Sequence, residues 1–77
     1  MQLLYPKGYD GNVVFVTRKS TMSGEENCRL MFFTHRQYDN WKNGGKCIQD
    51  AMPQLSPEDR EFLMTGITPD EWNEAFA

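Results

Sequence analysis

Six acids crowd the last third of the chain, and their spacing raises the question of chemistry. The stretch "LSPEDREFLMTGITPDEWNEAF" carries Ser56-Pro57-Glu58-Asp59 and then Thr68-Pro69-Asp70-Glu71, with Glu61 and Glu74 beside them. Paired carboxylates can act as general acid and base, but only where burial or a neighbouring charge moves their pKa values apart. A hydroxyl residue, then proline, then acids describes a helix start instead. Ser56 and Thr68 are N-caps, the prolines suit a first turn, and the acids meet the positive end of the helix dipole. Asp59 and Glu71 also fall three residues after their caps, where a capping box places its acceptor. Helix punctuation thus accounts for Glu58, Asp59, Asp70 and Glu71, and leaves Glu61 and Glu74.

Other chemistry finds little material. Cys28, His35 and Cys47 are the soft metal ligands, and spacings of seven and twelve match no zinc signature. The acids lack the D-x-D-x-D-G order of a calcium loop. Gly44-Gly45-Lys46 is not a phosphate-binding loop, and no G-x-S-x-G nucleophile elbow occurs. No cofactor or metal is expected, and the chain reads as a non-enzyme. Two cysteines are too few for a disulfide scaffold. Cys28 and Cys47 are expected as small packed side chains, and His35 as an exposed one.

Two charged surfaces remain as candidates. Residues 1–46 hold seven Lys/Arg against four Asp/Glu, a balance of +3, and residues 47–77 hold one Arg against seven acids, a balance of −6. Glu58, Glu61, Asp70, Glu71 and Glu74 could therefore form an acidic face that docks on a basic protein groove, where complementary charge speeds the encounter. Arg18, Lys19, Arg29, Arg36, Lys42 and Lys46 alternate with Tyr38 and Trp41, as in sites for single-stranded nucleic acid. Those two aromatics are equally the core face of their helix, and a pI near 4.9 is low for a dedicated nucleic-acid binder. A third candidate is the loop "STMSGEEN", read as exposed and adaptable, whose Thr21, Met22, Glu25 and Glu26 could enter a partner's cleft.

The elements that position these residues fit one small α+β domain over residues 1–77. Residues 1–12 read as an irregular arm with Pro6, Gly8 and Gly11, a short strand at Leu3–Tyr5, and aromatics Tyr5 and Tyr9 laid on the domain. Residues 13–19 and 28–33 are β-branched and aromatic runs joined by the polar loop, which makes an antiparallel hairpin or a small sheet. Three to four short helices follow. Thr34 and Gln37 form a capping box for a helix that Gly44-Gly45 stops. Helix resumes through Ile48, Ala51 and Met52 up to Pro53. Ser56 opens the next, with Phe62 and Leu63 buried and Gly66 as its stop. Thr68 opens the last, with Trp72, Ala75 and Phe76 on one face.

No run approaches the ~18 apolar residues of a membrane span, and the start lacks the basic flank and apolar core of a signal peptide. A cytosolic protein without membrane partners is expected.

The segment "THRQYDNWKNG", followed by "IQDAMPQLSPEDREFLMTGITPDEW", resembles a family of small proteins encoded by phages, including single-stranded DNA phages, and by related mobile elements. Most of that family have no assigned activity. The likeness spans about residues 34–76. It implies a folding core around Trp41, Ile48, Pro53, Leu55, Arg60, Phe62, Leu63, Gly66 and Trp72, and a setting in which small proteins act by binding. The function expected is a protein-binding module in the host cytosol. It would inhibit or modulate a host defence or nucleic-acid-processing protein by steric and electrostatic masking. The alternative is an accessory protein that binds single-stranded nucleic acid during phage replication or packaging.

Overall fold

The structure, a computed structural model, describes residues 1–6 and 12–76. Among the described residues the chain is α+β, a three-stranded antiparallel sheet followed by four helices. The strands are β1 (Gln2–Leu4), β2 (Val13–Lys19) and β3 (Glu26–Phe32), in that spatial order. The expected hairpin is β2–β3, and β1 pairs on its free side. The short first strand sits one residue earlier than the Leu3–Tyr5 expected. β3 begins at Glu26 rather than Cys28, because its first residue pairs with Lys19. Gly8, Tyr9 and Gly11 of the expected arm lie outside the described residues.

Register decides which side chains reach the core. Strand side chains alternate between faces, and Val14, Val16 and Met31 are fully buried on the inner face, with Phe33 just beyond β3. Ala51, Met52, Leu55, Phe62 and Leu63 close the cluster from the helical side. Leu3, Tyr5, Tyr38, Trp41 and Ile48 pack around it half-buried.

The helices are α1 (His35–Lys42), α2 (Ile48–Ala51), α3 (Pro57–Thr65) and α4 (Pro69–Phe76). Thr34 and Gln37 form the expected capping box. Ser56 caps α3 with Pro57 following, and Gly66 ends it in the left-handed region at φ 76°. Asp59 does not complete a capping box. It turns to β3, where Arg29 Nη2 lies 3.0 Å from its Oδ1.

Several expectations are corrected. Trp72 is 37% exposed and Phe76 72%, and α4 buries no residue, so this aromatic face is not core. Pro53 is exposed. Cys28 and Cys47 are exposed rather than packed. Cys28 sits opposite Thr17 at an outward register position, and the strand period of two turns it away from the core.

Candidate functional site

α4 and its surroundings hold most of the acids singled out above. Its start is fixed locally. Thr68 Oγ1 accepts from the Glu71 N–H (3.2 Å), and Glu71 Oε1 accepts from the Thr68 N–H (3.0 Å), a complete capping box. The same carboxylate is also tied across the fold. Asn27 Nδ2 of β3 donates to Glu71 Oε1 (2.7 Å), and the Ser23 hydroxyl donates to Oε2. Donors crowded on one carboxylate favour its charged form. The Ser23 hydroxyl first, and the Thr68 N–H second, hold the Glu71 carboxyl below its ordinary range. Glu71 is thus an anchor more than a free surface charge.

The hairpin loop is pinned to this anchor. The Thr21 N–H donates to the Thr65 carbonyl (3.0 Å), and Asn27 Nδ2 also reaches the Gly66 carbonyl (2.9 Å). Within the loop, buried Ser20 accepts from the N–H groups of Met22 and Ser23, and Gly24 turns the chain at φ 78°. The loop expected from sequence as exposed and adaptable is hydrogen-bonded to α3 and α4 here. Its Thr21, Met22 and Glu25 are exposed, whereas Glu26 belongs to β3.

Two shallow grooves flank α4. One, of about 320 Å³, is lined by Glu58, Glu61, Ile67, Pro69 and Trp72, between α3 and α4. The other, of about 310 Å³, is lined by Met22, Glu25, Glu71 and Glu74, between α4 and the hairpin loop. Two sets of residues far apart in sequence thus meet on one helix. Trp72 stacks on Phe76 with ring centroids 5.1 Å apart. Asp70 is exposed on the first turn. The corner offers an aromatic surface ringed by carboxylates.

The basic residues do not gather in the same way. Arg18 and Arg29 lie on the inner face of the sheet. Arg18 donates to the Met64 carbonyl (2.8 Å), and Arg29 pairs with Asp59 and lies over the Phe62 ring. Lys19 faces outward opposite Glu26. Arg36, Lys42 and Lys46 are exposed along and after α1, with Lys42 Nζ 4.3 Å from the Trp41 ring centre. Tyr38 and Trp41 meet edge to face, Tyr38 stacks on the core ring of Phe33, and both pack half-buried against the core. His35 is exposed and stacks on Tyr5. Among the described residues, no three His, Cys, Asp or Glu side chains converge as metal ligands would. No helix there is long and apolar enough to cross a membrane.

One surface went unnoticed in the sequence. The outward face of the sheet carries the cross-strand row Leu4–Phe15–Leu30, with Val13 and Phe32 paired in the next row. Leu4 is 66% exposed, Phe15 37%, Leu30 45% and Phe32 57%. A signal was available. "VVFV" and "LMFF" are continuous apolar runs, whereas a sheet with one wet face normally alternates apolar and polar.

Compared with protein-family models, curated protein sequences and solved structures, the chain gives no match.

Proposed function

We propose that the chain is a protein-binding module that presents α4 and its ring of acids to a basic surface on a partner. The observation that carries this reading is that α4 contributes no buried side chain, yet is held in place through Glu71 by both the hairpin loop and β3. A helix fixed so firmly while its aromatic face stays open is suited to contact. Trp and Phe supply apolar anchor area, and the partner's charge is set by Glu58, Glu61, Asp70 and Glu74 around them. Trp72 would be the anchor, and the carboxylates would orient the encounter.

The resemblance of residues 34–76 to phage proteins makes a bacterial defence or nucleic-acid-processing protein the proposed partner class. Such proteins expose basic grooves for nucleic acid, and an acidic module seated there would mask the groove. The chain's own groups enter this proposal as binding groups, with no catalytic role.

A pull-down from bacterial lysate tests it, using the wild-type chain beside Trp72→Ser and the pair Glu58→Lys with Glu61→Lys. A protein retained by wild type, released by raised salt and lost with both variants supports the reading. Retention indifferent to both variants overturns it. A low-salt gel shift examines the other class. Binding of single-stranded DNA that disappears when Arg36, Lys42 and Lys46 are neutralised would replace the protein-binding reading with the nucleic-acid one.

A further inference from the structure

We infer that the groove between α3 and α4 receives one arginine side chain of a partner protein, with its methylene stem on Trp72 and Ile67 and its guanidinium between Glu58 and Glu61. This rests on the binding reading of the α4 corner and narrows that reading to a single side chain.

Shape comes before charge. α3 contributes Pro57, Glu58 and Glu61 to the groove, α4 contributes Pro69 and Trp72, and Ile67 of the connection lies between them. Ile67 is 7% exposed, so it forms a fixed apolar floor. Trp72 is held in the wall by its stack on Phe76 and by the anchored Glu71 before it. The volume, about 320 Å³, sits at the bottom of the ~300–1,000 Å³ range of small-molecule sites. That suits a side chain better than a large ligand.

Charge then selects the occupant. Glu58 and Glu61 stand three apart on α3, so their side chains are neighbours on one face. Among the described residues the ion pair is Arg29 with Asp59, which leaves both of these acids without a cation. The N-terminus of α3 carries about half a positive charge and offsets Glu58 in the first turn. Glu61 lies beyond that turn, half-buried against the apolar floor. It has neither a capping role nor an ion pair, and an incoming cation would supply the missing charge.

The apolar floor separates the possible cations. A metal ion needs several oxygen ligands, and among the described residues no third ligand converges here. A nucleic-acid phosphate meets the same carboxylates and is repelled. A lysine brings a compact, strongly hydrated charge, which the floor would strip of water. A guanidinium is flat and more weakly hydrated, rests against an indole, and forks to two carboxylates at once. Its stem covers apolar surface while its head stays at the charged rim.

Amide NMR of the full chain tests this with three blocked peptides: glycine–arginine–glycine, its lysine counterpart, and its citrulline counterpart, which keeps the shape of arginine without the charge. Each is titrated to about 50 mM, because a lone side chain binds in the millimolar range. The arginine peptide should shift the Trp72 indole N–H and the Ile67 amide. It should bind about threefold or more tightly than the lysine peptide, and the citrulline peptide should leave the groove unmoved. Glu61→Gln should weaken the arginine shifts, as should raised salt. Shifts centred outside the groove, an equal response to citrulline, or no change with Glu61→Gln overturns the inference. The lysate pull-down decides the wider reading separately. A protein retained through Trp72 beside an unresponsive groove rejects the arginine and keeps the binding corner. An arginine-responsive groove with no retained protein keeps the site and rejects the partner class.

Discussion

The Glu71 carboxylate accepts from the Thr68 N–H, the Asn27 amide and the Ser23 hydroxyl. Its pKa is lowered, so the linkage has a definite sign: the charged form contributes stability at neutral pH, and that contribution is lost as pH falls through the depressed folded-state value. Glu71→Gln should therefore melt below wild type at pH 7, and the gap should narrow once the pH drops beneath the ordinary glutamate range near 4.3. Paired thermal melts at pH 7 and pH 3 check this; a gap that stays constant contradicts it. Two glycines offer a second comparison. Gly45 and Gly66 both have positive φ, but a Cβ on Gly45 meets nothing, whereas on Gly66 it would lie 2.5 Å from the Lys19 carbonyl oxygen. Gly45→Ala should cost about 1–2 kcal/mol for the left-handed backbone. Gly66→Ala should cost clearly more, because the β2 backbone must also shift. Urea unfolding of the two variants measures the difference, and equal costs would contradict the close approach.

Helix ends were the most legible elements, because capping is written in four or five adjacent residues. Thr34 with Gln37, Ser56 with Pro57, and Thr68 with Glu71 all cap where the sequence places them. Strand ends were less legible, since β3 starts where Lys19 finds a partner at Glu26, and that partner is not local. What covers a helix was not legible at all. The spacing of Trp72, Ala75 and Phe76 gives a face, but a face can pack on the core or stay open, and here it stays open. A prediction follows at this scale. Phe76→Ser should change unfolding free energy by no more than about 1 kcal/mol, since surface substitutions usually fall near ±0.5 and here a ring stack is lost as well. Trp72→Ser should cost more than Phe76→Ser, because Trp72 is 37% exposed against 72% for Phe76, but less than a core substitution. Trp72→Ser should nevertheless abolish partner retention. Thr34→Ala is the contrast on α1, where losing a cap should cost about 1 kcal/mol. Chemical denaturation of all three, beside the pull-down, separates a helix kept for contact from one kept for folding.

At the scale of the whole molecule, one thin core has to hold a sheet whose other face, among the described residues, leaves Leu4, Phe15, Leu30 and Phe32 exposed. The inner face could be anticipated from apolar strands followed by amphipathic helices. The outer face was signalled only by the continuous apolar runs "VVFV" and "LMFF"; which residues oppose Phe15 is set by pairing across β1 and β3. The core is carried by few large side chains, chiefly Phe33, Phe62, Met31, Met52 and Leu63. Phe62 is fully buried on α3, under Arg29 of the sheet, so it joins the two layers. Phe→Ala in a core costs about 3–5 kcal/mol. At roughly 0.05–0.15 kcal/mol per residue, a chain of 77 residues has only about 4–12 kcal/mol in total. Phe62→Ala should therefore remove from about a quarter of the stability to all of it, whereas Phe62→Leu, which keeps most of the volume, should leave a folded domain. Since one core serves both layers, far-UV circular dichroism and tryptophan fluorescence should lose their signals together in urea. Trp41 reports on that core, and Trp72 on the α4 corner fixed to it through Glu71. Two separate transitions in the wild-type chain would mean that α4 and its acids fold on a footing of their own, and the corner proposed for binding would then be a detachable helix instead of a fixed part of the domain.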